Sequence, residues 1–380
     1  MKDDTQETGR RRRYFQYAVF ALAALLVVSL GVVLIPREPS PPAAPPFSEQ
    51  ARASAFADSL SLRAASLDLQ GAADATAPAS HASALARTVT LLTVQARALI
   101  LPAGNPALDS AAASPATALA TVTAPSTTAD LAAALQASGA QRLQDAETAD
   151  GGMARLLAGA GTAQLLAAED LASAAGIALA PLPEADSSPT ASPAPTPPVT
   201  ASAAVGCASE AAVADASSAA DLGSAFASAV AAELELVYAY QAALTRLNSG
   251  SAAPASNFLA QHGILRNEAE AMGWSHCAAV PQRRPGYALS QVFLADPAAG
   301  LGTLEAGTLP VLGDLVALSA GREREWALSA LQSAARRTVH WGSSPGPVPG
   351  MVLDEALLPP LPEPVSTPGP STTSASPGNS

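Results

Sequence analysis

The 380-residue chain contains one lysine (Lys2), two cysteines and four histidines, and aromatics make up only 4% of it. With its only lysine at position 2, neither Gly151-Gly152 nor Gly159-Ala160-Gly161 is followed by the Gly-Lys-Ser/Thr of a phosphate-binding loop. His-Glu-x-x-His is also absent and no Gly-x-Ser-x-Gly lies at a strand-to-helix elbow, so nothing points to a hydrolase. A net charge of −12 gives the chain little attraction for phosphate backbones and excludes nucleic acid as an expected partner. The 49% of hydrophobic residues is dominated by alanine, which favours helix but buries little area per residue. Any core should therefore be closely spaced.

Positive charge is concentrated at the start, where residues 10–13 are all arginine. An uncharged apolar run follows from Tyr17 to Ile35, ended by Pro36 and Arg37. As a helix it would span about 28 Å, close to the thickness of a bilayer core. The arginines lie on one side only. The positive-inside rule therefore makes 1–13 a cytoplasmic tail, 14–36 a single transmembrane helix, and the remainder extracytoplasmic. A cleaved signal peptide is the alternative, with Arg12-Arg13-Tyr14-Phe15 loosely matching a twin-arginine signal. Pro36-Arg37-Glu38-Pro39 offers no small-x-small cleavage site, which favours retention in the cell membrane.

Proline clusters divide the rest. Residues 37–46 read as a stiff Pro-rich spacer. Residues 47–178 read as an Ala-rich helical domain. In it Phe56, Leu60 and Leu67 share one helical face, Leu85, Val89, Leu92 and Leu99 a second, Leu131 and Leu135 a third, and Leu156, Leu157, Leu165 and Leu166 a fourth. Residues 179–205 read as a disordered Pro/Ser/Thr linker and 351–380 as a disordered tail.

Residues 206–350 hold all three tryptophans and both cysteines. The apolar spacing predicts helices over about 218–247, 254–272, 297–319 (bent at Pro310) and 321–341. The fold class is therefore all-α. Ala232-Glu233 with Val237-Tyr238-Ala239-Tyr240, His262 with Arg266, Leu304-Glu305, and Arg336 through His340-Trp341-Gly342 with Pro349-Gly350 carry a resemblance. On these residues the segment resembles a ferritin-like domain of unknown function from actinobacteria, the high-GC Gram-positive bacteria. The resemblance implies a four-helix ferritin-like bundle and no particular activity.

A di-metal centre in such a bundle needs Glu-x-x-His on two helices. No glutamate here has histidine three positions on, and Leu234 stands where a histidine often follows the first-helix glutamate. No metal, cofactor or catalytic residue is therefore expected. Glu233, His262, Arg266 and Glu305 are the polar candidates for the bundle core. A buried carboxylate needs a partner, and a Glu233–His262 or a Glu233–Arg266 contact would supply one. Cys207 precedes the first helix of this bundle and Cys277 follows the second. An up-down topology brings them to one end, and outside the cytoplasm they are expected to oxidise to a disulfide. Two free thiols, or a metal site with His276, are the alternatives.

These readings converge on a membrane-anchored envelope protein whose ferritin-like domain is a non-enzymatic binding or structural module. The alternative is a metal-binding or redox protein with a degenerate ferritin-like centre. A third class, a small-ligand binder, requires a pocket near Glu233, His262 and Glu305. An envelope protein partner and self-association both remain open.

Overall fold

The structure is a computed structural model, and it describes residues 14–26, 44–72, 78–100, 124–181 and 221–362. Every regular element among the described residues is helical. The chain divides into two units, Met1–Pro45 and Pro46–Ser380.

In the first unit, helix α1 spans Tyr14–Leu26 and is apolar. It exposes Phe15, Phe20, Leu22 and Leu25. The rest of the expected membrane span and most of the spacer lie outside the described residues, as do the linker from 182 onward and the tail beyond 362.

The second unit contains α2 (Phe47–Ala72), α3 (Ala79–Leu99), α4 (Thr128–Thr148), α5 (Gly151–Ala175), α6 (Leu222–Leu244), α7 (Ser249–Ser275), short α8 (Gln291–Ala295), α9 (Pro297–Leu318) and α10 (Gly321–His340). Helix starts are set locally. Thr127, Asp150, Asp221, Asn248 and Asp296 each accept a hydrogen bond from a backbone N–H of the turn they open. The Asn248 cap starts α7 at Ser249, ahead of the Pro254 start read from sequence. Helices α6 and α9 are long and apolar enough, by length and composition, to cross a membrane, yet 50% of each apolar window is buried inside this unit.

Sequence reading sets 47–178 and 206–350 apart as two domains. In the structure their helices share a core. Ala154 and Leu157 of α5 pack with Leu309, Leu312 and Leu315 of α9 and with Leu331 and Ala334 of α10. From Met153 to Leu165, every α5 residue but Arg155 is buried. A helix that is apolar all round must be enclosed on every side. Its glycines permit the approach: a Cβ at Gly161 would lie 2.7 Å from the Gly139 carbonyl oxygen, and one at Gly159 would lie 2.5 Å from that of Pro349.

Arginines complete the junction. Buried Arg324 of α10 donates to the carbonyls of Ala146, Glu147 and Ala149, at 3.3, 3.2 and 2.7 Å. These oxygens close the C-terminal end of α4, where a helix leaves carbonyls unpaired and attracts cations. Arg155 pairs with Asp314 and donates to the Gly350 carbonyl at 2.6 Å. Residues 351–362, expected to belong to a disordered tail, are instead held against α3. Arg97 donates to the carbonyls of Glu355, Leu358 and Pro359. Met351 and Leu353 also pack against the shared core, and the anchoring through backbone carbonyls leaves no sequence pattern.

Candidate functional site

The candidate site is a sealed polar centre among α6, α7, α9 and α10. Glu233 projects inward from α6, two turns after Phe226 and one turn after Ala229 and Val230, which fix its face in the core. His262 is one of four buried residues of α7, and Glu305 lies on the inner face of α9 with Leu301 and Leu312. His262 and Glu305 are each 0% exposed and Glu233 is 4% exposed.

His262 bridges the two carboxylates. Its Nδ1 lies 2.7 Å from Glu233 Oε2 and its Nε2 lies 2.9 Å from Glu305 Oε1. Arg337 of α10 donates through Nε to both oxygens of Glu305, at 2.9 and 3.0 Å. The Tyr240 hydroxyl donates to Glu305 Oε1 at 2.6 Å and accepts from Trp341 Nε1 at 2.7 Å. Two carboxylates thus face one imidazole ring and one guanidinium. An isolated charge in this interior would cost several kcal/mol, so the balance of signs is what makes its burial tolerable. The Nη1 and Nη2 groups of Arg337 are buried and have no hydrogen-bond partner among the described residues.

Ionisation follows from this geometry. Burial pulls the pKa of His262 down, but the hydrogen bonds and charges of Glu233 and Glu305 outweigh it and raise the value above the ordinary one. Burial pushes Glu305 up; the His262 hydrogen bond and the Arg337 charge more than reverse this and hold it below the usual carboxylate range. Burial and the neighbouring Glu305 charge raise Tyr240 far above the ordinary phenol value, so it remains a hydrogen-bond donor.

Three of the four polar residues singled out in sequence therefore meet: Glu233, His262 and Glu305. Arg266 does not join them. It turns to Asn267, at 2.7 Å, and to Glu270, at 3.7 Å. Arg337, Tyr240 and Trp341 complete the centre instead. Arg337 carried one usable signal: it lies four residues before Trp341 and three after Ala334, on the same inner helical face. Cys277 follows α7 with φ 57. Cys207 lies outside the described residues.

Residues 225–353 match the family described as "Domain of unknown function (DUF4439)". No curated protein and no solved structure matches the chain. The matched segment contains every residue of the polar centre and extends through the Pro347–Gly350 turn that lies against α5. Helices α2 to α5 precede it.

A groove of about 580 Å³ lies away from the polar centre, between Leu91 and Val94 of α3, Leu166 of α5, Val339, and the Pro345–Pro347 stretch.

Proposed function

We propose that the chain is a single-pass membrane protein of the cell envelope whose helical unit is a non-enzymatic structural or binding module, with α6, α7, α9 and α10 as a ferritin-like bundle. The observation that carries the non-enzymatic reading is the internally balanced centre. Every oxygen of Glu305 already has a cationic or hydroxyl partner, and solvent does not reach it. A general base or a coordination site needs an oxygen that substrate or metal can reach. The metal-centre alternative loses support at the same point, because the Arg337 guanidinium fills the cationic position beside Glu305. The anchor reading rests on the apolar run behind residues 10–13, of which α1 is the described part.

Two measurements test this. Alkaline carbonate extraction of membranes should leave the intact chain in the pellet, and protease added to spheroplasts should digest its helical unit. Release into the soluble fraction would defeat the anchor. Metal analysis of the purified full chain should find only trace iron, manganese and zinc. A stoichiometric metal that is lost in Glu233→Ala would defeat the non-enzymatic reading. The sealed centre offers no pocket at Glu233, His262 and Glu305; the separate groove beside Pro345–Pro347 is the basis for a small-ligand role as a second reading. That role requires a rise in melting temperature with at least one apolar envelope metabolite, and no shift across a broad panel would remove it.

The disulfide belongs to the same proposal. The end of α7 returns to the start of α6: a Cβ at Gly223 would lie 3.1 Å from the His276 carbonyl oxygen. Cys207 lies fourteen positions before the Asp221 cap of α6, so its partner is within reach of the same end of the bundle. Alkylation of the denatured, unreduced protein should modify neither cysteine. Cys277→Ser should lower stability by about 4 kcal/mol, the chain-entropy value for a loop of about 70 residues. Two alkylated thiols in protein purified without reductant would exclude the bond.

A further inference from the structure

Helix α7 is lightly held for its length. Of its 27 residues only Ala255, His262, Ala269 and Gly273 are buried. It packs along α6 and touches α10 only at a few positions. Its other polar ties lie toward its C-terminal end, where Glu268 accepts from Trp326 Nε1 at 2.8 Å and His276 meets Glu323 at 2.7 Å. Among the described hydrogen bonds, His262 to Glu305 is the one bond from α7 to α9.

That bond depends on a proton. Carboxylate oxygens only accept hydrogen bonds, so a ring that satisfies a carboxylate at each nitrogen must donate from both. Only the imidazolium does this. A neutral ring would leave one nitrogen lone pair facing a carboxylate at 2.7 or 2.9 Å. The groups facing the ring are Glu233 and Tyr240 of α6 and Glu305 of α9, with Arg337 of α10 behind Glu305 and Trp341 behind Tyr240. On α7 itself, Arg266 is turned away to Asn267 and Glu270. With both carboxyls ionised, His262 is the one facing group that can place a proton toward each of them.

We propose that His262 is a proton-operated latch, closed in its imidazolium form, that holds α7 to α9 and α6 together. The direction of the switch follows from the sign. With the His262 value raised, the latch is closed below that value and opens as pH climbs through it. The lowered value for Glu305 keeps its carboxylate available under mild acid, so opening belongs to the alkaline side. An envelope protein loses this helix contact when its surroundings turn alkaline and regains it on neutralisation.

The test uses the full chain in detergent micelles. With four histidines in the sequence, nitrogen-15 labelling of histidine resolves the ring of His262. At neutral pH both of its nitrogens should be protonated. Hydrogen exchange of α7, corrected for intrinsic base catalysis, should accelerate by about tenfold per pH unit once His262 titrates, while α9 stays protected. Glu233→Gln supplies the discriminating variant. Its side-chain amide can donate to Nδ1 of a neutral ring whose Nε2–H still serves Glu305, so the excess pH dependence of α7 should vanish. A neutral ring in the wild type at neutral pH would overturn the latch, whether or not the variant folds. So would an excess pH dependence that Glu233→Gln leaves unchanged.

Discussion

Glu305→Ala should lower the stability of the helical unit by about 3–5 kcal/mol, the cost of breaking a buried ion pair by removing one partner. One side chain is asked to serve three others. It takes the Tyr240 hydroxyl at 2.6 Å, His262 at 2.9 Å and Arg337 at 2.9 and 3.0 Å. Truncation leaves the Arg337 guanidinium, 2% exposed, with no carboxylate, and leaves Tyr240 and His262 without an acceptor. Domains of this kind are stable by about 5–15 kcal/mol, so this is a large share of the whole. The surface pair Arg336–Glu169 is the control. Its side chains are 46% and 47% exposed, and Arg336→Ala should cost no more than about 1 kcal/mol. Urea denaturation followed by circular dichroism measures both, the shift appearing in the midpoint rather than the slope. A double change, Glu305→Leu with Arg337→Met, should recover much of the loss, because it removes both charges instead of stranding one. A Glu305→Ala midpoint within error of wild type would refute the account of the centre as an energetic unit.

The legible part of this centre was the part that helical periodicity reports. Glu233, His262 and Glu305 each interrupt an inward apolar face, and a charged residue on such a face must find a partner. Arg266 misled for the same reason. It lies four residues from His262, on nearly the same face, but its long side chain reaches back to the exposed edge of α7. Arg337 was hidden by its neighbour. Arg336 and Arg337 are adjacent, and only the spacing of Arg337 to Ala334 and Trp341 separates the two; in the structure Arg336 pairs with Glu169 at the surface while Arg337 is buried.

The helices were legible by the same rule, and their arrangement was not. Starts and stops followed caps that sequence displays, such as Asp150 before α5 and Gly176, at φ 68, after it. The joining of the two stretches of helix rests on glycine contacts and on arginines bonded to backbone carbonyls, and neither produces a periodic pattern. One sign was present: α5 carries small or apolar residues on every face from Leu156 to Ala163. A helix of that kind has no face to offer water, and a four-helix unit ending at residue 178 could not have covered it on all sides.

The glycines of α9 give the sharpest test of that junction. Gly313 and Gly307 sit on one helix, less than two turns apart, in opposite surroundings. A Cβ at Gly313 would lie 2.1 Å from the Gly350 carbonyl oxygen and 2.8 Å from the Gly350 Cα, so the obstacle is backbone. Gly350 has φ 90, a conformation that side chains rarely adopt, and its carbonyl is already held by Arg155 at 2.6 Å. The turn therefore has little freedom to yield. Gly313→Ala should destabilise by about 1–3 kcal/mol, as overpacking does in a well-filled interior, and should loosen the Gln95 to Pro347 bond of 2.9 Å on the same turn. At Gly307 a Cβ meets nothing within 4 Å. Gly307→Ala should stabilise by about 0.5–1 kcal/mol, through the lower backbone entropy of alanine in a helix. Thermal melts of the two variants should thus move in opposite directions from wild type. If both melted higher, the turn at Gly350 would not be packed on α9, and the enclosure of α5 between the two sets of helices would fall with it.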